Sequence, residues 1–167
     1  MIKTIASHIE SLIEFTGRTV SWLALLMVLI TFIVVVLRYL FDIGSIALQE
    51  SVTYMHATLF LVGAAWTLKH NAHVRVDIIY NRCSDKTRAI IDLCGSIFLL
   101  MPLMLFIGWI SWQYVLDSWS VYESSREAGG LPGVFLLKSL ILLMTALLVL
   151  QALAVVLNAV ISLRGKR

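Results

Sequence analysis

The chain has 167 residues, of which 60% are hydrophobic and only 14% charged, with a net charge of +3 and a strongly positive mean hydropathy. That balance excludes a disordered chain and is wrong for a water-soluble domain. The basic excess is not a nucleic-acid footprint, because the cations cluster between long uncharged runs rather than along one polar face.

Residues 2–16 come first. Ile2, Ile5, Ile9, Leu12, Ile13 and Thr16 recur at three- and four-residue steps and so share one helical face, with Lys3, Ser7, Glu10 and Glu14 elsewhere. The pattern predicts a short amphipathic helix lying in the membrane interface. The alternative is a plain extension of the first long helix.

Four uncharged runs follow: Thr19–Leu37, Ser51–Leu68, Leu93–Leu116 and Ser139–Leu163. Each reaches the rough threshold of about 18 apolar residues for a spanning helix. The expected fold class is an all-α membrane protein, a single domain with spans near 19–40, 46–69, 88–118 and 134–163. The first run lacks the small-residue cleavage pattern of a signal peptide and is read as a retained helix. Of the thirteen Lys and Arg, ten fall in the N-terminus, the second connector and the C-terminal tail. Arg38, Arg126 and Lys138 lie on the other side. The positive-inside rule then places both termini in the cytoplasm.

Arg38 and Glu50 flank a short first connector, which forces the first two helices to be antiparallel neighbours. The two charges are expected to pair across it. In the second run, Gln49, His56, Gly63 and His70 are spaced by seven, with Thr53, Ala57, Ala64 and Thr67 close to the same side. Such a stripe of polar and small residues lets helices approach closely and hydrogen-bond. It serves this chain's own bundle, a solute path or a face for another membrane protein. Gln151, Asn158 and Ser162 form a weaker stripe in the last run.

The second connector is basic and holds Cys83; with Cys94 it makes no disulfide framework. Arg88 and Asp92, four apart, can pair along a helix. Pro102 sits mid-run and is expected to kink or loosen its helix. The aromatic stretch Trp109–Trp119 suits an interface. The third connector, 121–133, is glycine-rich and mildly acidic, with strong turn chemistry.

Catalytic chemistry finds little support. His70, His73 and Asp77 alone do not complete a metal site, and no phosphate loop or nucleophile–base pair is present. A haem held inside the bundle needs imidazoles on facing helices, and only His56 lies within a run.

The order of motifs carries a resemblance. Arg38-Tyr39 closes the first run, Gln49-Glu50 opens the second, Gly63-Ala64-Ala65 sits in its second half, and His73-Val74-Arg75-Val76-Asp77 follows. Together they resemble the small membrane subunit of tripartite ATP-independent periplasmic (TRAP) transporters, the DctQ-like family. That family often has two adjacent acids where this chain has Gln49-Glu50. The resemblance implies an inner-membrane, multi-pass subunit with no enzymatic activity and no cofactor of its own. Its partners would be a large multispanning permease carrying the sodium coupling, a periplasmic solute-binding protein for an organic acid, and membrane lipids. Arg38, Tyr39, Gln49, Glu50, His56, Gly63, His73, Arg75 and Asp77 would then be interface or anchoring residues. The runner-up reading is the membrane anchor of a respiratory or redox complex.

Overall fold

The computed structural model describes residues 2–73, 80 and 82–165. Among the described residues five α-helices are bounded: α1 (Ile2–Leu40), α2 (Ile46–Lys69), α3 (Asp85–Gly95), α4 (Met101–Ser120) and α5 (Val134–Gly165). A π-helical turn, Ser96–Leu100, joins α3 to α4. The architecture is therefore four long helical rods, one of them made of α3, the π turn and α4. Each uncharged run of the sequence lies within one rod. Among the described residues three rods are long and apolar enough to cross a membrane: α1, the α3–α4 rod and α5. α2 has 24 residues, about 36 Å at roughly 1.5 Å per residue, but Gln49, Glu50, Thr53, His56 and Thr58 make it less apolar.

The stretch 2–16 is not a separate interfacial helix. It forms the first four turns of a continuous 39-residue α1. Its apolar face is divided. Ala6 and Ile13 are buried and Ile9 packs on the bundle core, while Ile5, Leu12 and Phe15 stay exposed. Burial against neighbouring helices thus replaces the expected contact with lipid headgroups. No helix breaker separates the segment from the rest. Gly17 is needed instead for a close approach, since a Cβ there would collide with the Trp66 side chain.

The core comprises Ile13, Val62, Ala65, Met104, Leu147 and Leu148. α5 is the hub, packing on α1, α2, α3, the π turn and α4. Its Ala152 and Ala154 are fully buried, and side chains this small allow neighbouring helices to come near.

Local chemistry sets the ends. Ser45 caps α2, its Oγ accepting from Leu48 N–H at 3.4 Å. α2 closes with Asn71 left-handed (φ 53°), the Asn71 N–H donating to Leu68 and the Ala72 N–H to Thr67. This six-to-one pattern takes up carbonyls the helix end leaves orphaned. α4 ends likewise around Tyr122 (φ 46°), with Glu123 N–H donating to Ser118 O at 3.0 Å. The loosening expected at Pro102 takes a specific form. The helix widens just before the proline, and Met101 N–H reaches Ser96 O, five residues back. The proline has no N–H to offer its own turn, and the wide turn absorbs that loss.

Candidate functional site

Polar chemistry gathers at both ends of the bundle and along one side of α2. At the end holding the first and third connectors, Glu50 stands in the first turns of α2. One carboxylate oxygen accepts from the Ser125 hydroxyl, the other from Leu131 N–H at 2.6 Å. Gly130 makes this possible, because a Cβ there would lie 2.8 Å from the second oxygen. The expected Arg38–Glu50 pair is therefore not formed. The third connector folds over α2 and supplies donors at hydrogen-bond distance, leaving Arg38 exposed with no ion pair among the described residues. Tyr39 beside it is 81% exposed.

Glu123 organises the same connector. Its carboxylate accepts from the buried Ser118 hydroxyl at 2.7 Å and from the Lys138 ammonium. That ammonium, then the hydroxyl, hold the Glu123 carboxyl below its usual range, against an opposing effect of burial. Lys138 also lies 4.0 Å from the centre of the Tyr114 ring, a favourable cation–π placement. Trp119 Nε1–H donates to Ser139 Oγ at 2.8 Å, joining α4 to α5.

The opposite, basic end is tied by Glu14. Its carboxylate meets Lys69 Nζ and Arg18 Nε at 2.7 Å each and His70 Nε2 at 2.9 Å. Lys69 also donates to Glu10 O at 3.0 Å, and Asn158 Nδ2 donates to Glu10 Oε1 at 2.6 Å. α1, α2 and α5 are thereby fastened together. His73 Nε2 lies 3.2 Å from Ala64 O. Arg88 and Asp92 converge on Tyr80, through Arg88 Nε to Tyr80 O (3.2 Å) and Tyr80 O–H to Asp92 Oδ2 (2.7 Å). Among the described residues no group of His, Cys, Asp and Glu forms a metal-holding cluster.

The two polar stripes part company. In α5, Gln151 points into the bundle and is 2% exposed, Asn158 binds α1, and Ser162 is exposed. In α2 the stripe faces out: Gln49 and His56 are exposed and Gly63 is half-buried. His56 touches the Phe60 ring, centroids 5.5 Å apart, and lies outside the interior where a haem would sit. Arg75 and Asp77 lie outside the described residues. Sequence reasoning passed over Glu10, Glu14, Lys69, Glu123 and Lys138. The signal was there for one of them: Glu14 precedes Arg18 by four residues, the spacing of a helical ion pair.

Residues 27–161 match the DctQ component of tripartite ATP-independent periplasmic transporters. The chain belongs to that family. A C4-dicarboxylate TRAP transporter small permease protein of Vibrio cholerae is 31% identical over 59% of this chain, the match spanning 43% of that relative's length. A Haemophilus influenzae protein, provisionally named a TRAP transporter small permease protein, is 29% identical over 84% of this chain and 92% of its own length. No solved structure matches the chain. As a DctQ-family small permease subunit, the chain is a multi-pass protein of the inner membrane and a transporter component, not an enzyme.

Proposed function

We propose that this subunit packs on and stabilises the static scaffold of a large permease subunit, in a sodium-coupled system that takes up an organic acid delivered by a periplasmic binding protein. The observation that carries the reading is the family match across residues 27–161. The relative from Vibrio cholerae is named for C4-dicarboxylates, which fits an organic-acid substrate class. The interior also supports a scaffold: Val62, Ala65, Met104, Leu147 and Leu148 fill it, so the bundle makes a poor solute conduit. In this reading α2 is the fourth spanning helix. Both termini and the Glu14 cluster are cytoplasmic, and the 121–133 connector is periplasmic, where it is placed to meet the binding protein. The sodium sites belong to the large subunit, and this chain needs no cofactor.

The test is reconstitution. The chain, expressed with the permease of its own system, is expected to co-purify with it. Sodium-driven uptake of an organic acid should then require both subunits and the binding protein. Uptake by vesicles holding this chain alone would overturn the proposal.

A further inference from the structure

The exposed residues of α2 within Ile46–Lys69 are Ile46, Gln49, Thr53, His56 and Phe60. They follow steps of three and four. Gly63, Thr67 and exposed His70 continue the same line. This is a single seam of seven-residue period along the whole helix, and α1, α5 and the third connector pack on the rest of α2. A seam this narrow is the surface one further helix occupies when two helices pack at a shallow angle.

The chemistry of the seam sets it apart from the other outward faces. α1 exposes Trp22, Leu25, Val28, Leu29 and Phe32, and α4 exposes Leu105, Phe106 and Trp109, all suited to lipid. The α2 seam instead offers an amide, a hydroxyl and an imidazole. His56 is the eleventh of the 24 residues of α2, near mid-depth for a spanning helix. Among the described residues neither its ring nitrogens nor the Gln49 amide has a hydrogen-bond partner. Hydrocarbon is a poor place for such groups, and they face protein in membranes. Beside Gly63 the seam opens into a groove of about 380 Å³ shared with Gly17, Val20 and Ser21 of α1. A Cβ on Gly63 would meet nothing within 4 Å.

We infer that this seam receives one transmembrane helix of the large permease subunit, an inference that rests on the proposed assembly. The partner helix would present a hydrogen-bonding side chain at the depth of His56. It would send a side chain into the groove at Gly63 and end in acceptors near His70. A second copy of the chain is a poorer occupant. A two-fold pairing about the seam lays each element on its own copy, so His56 would face only a second His56 and Gly63 a second Gly63, leaving the groove without a side chain to fill it.

The test places benzoylphenylalanine at Thr53 or Phe60 on the seam, and at Leu29 or Phe106 as controls, in the chain expressed with its permease. Illumination should join the seam positions to the permease and leave the controls on lipid. Permease adducts from the controls with silent seam positions would overturn the inference while leaving the assembly intact. A dimer of this chain from Phe60 would do the same in favour of self-association. Failure of the unmodified subunits to co-purify would overturn the assembly as well. A second variant, Gly63→Leu, adds bulk only where the chain itself leaves space. Its membrane level should match the parent, while recovery of the permease falls roughly tenfold. Full recovery would overturn the inference.

Discussion

Single acids decide how the connector end is held. Glu50 is bridged to donors 75 and 81 residues away in sequence, a link no local pattern reveals. Glu50→Ala should strip hydrogen-exchange protection from residues 125–131, because the Leu131 N–H loses its acceptor. Arg38→Ala should leave that protection unchanged. Glu123 brings a pH dependence. Lys138 and Ser118 favour its charged form, so its folded-state pKa lies below the ordinary value of 4.5. Its contribution is full above that value and disappears as pH falls through the folded pKa. Exchange protection of the connector, followed from pH 7 down to about pH 3, should drop in that acidic window. In Glu123→Gln the drop should flatten. Gly17 has a steric role. Gly17→Ala drives a methyl group into Trp66, and overpacking of this kind costs about 1–3 kcal/mol. A thermal melt of the detergent-solubilised complex should show the loss.

Among the elements, α2 was the hardest to orient from sequence. Its helical extent was legible, because the uncharged Ser51–Leu68 run marks it. The direction of its stripe was not. Gln49, His56 and Gly63 share a side whether that side faces in or out, and only the packing of Val62 and Ala65 decides between the two. The stripe of α5 looked similar and turned out to be internal at Gln151. For residues 2–16 the period was right and the surroundings were not: a face with both Ile13 and Leu12 can lie on lipid or on helices, and α5 supplies the helices through Asn158 and Glu10. Asn158→Ala should loosen this N-terminal part of α1 alone. Faster proteolysis within residues 2–16, with unchanged cleavage elsewhere, would register it. Pro102 was read correctly as a point of weakness, but the widened turn before it left no mark in composition.

The whole molecule is fastened by acids at both ends and by apolar packing between them. Glu14 and Glu10 hold α1, α2 and α5 at the basic end, while Glu50 and Glu123 hold the third connector at the other. The proposed topology makes the two ends chemically distinguishable in intact cells. A membrane-impermeant thiol reagent should label a cysteine placed at Ser124, in a chain whose native cysteines are replaced, and should spare one placed at Ser7. The π turn between α3 and α4 has a separate consequence for how the chain tolerates change in length. A π turn is an ordinary helix carrying one surplus residue. Deleting one residue within 96–100, together with Pro102→Ala to restore the missing donor, should leave the flanking faces in phase. A deletion between Met104 and Val115 would instead turn these two buried residues about 100° out of phase with each other against α5. This turn is therefore a place inside that rod where the chain can lose a residue and still assemble the same bundle.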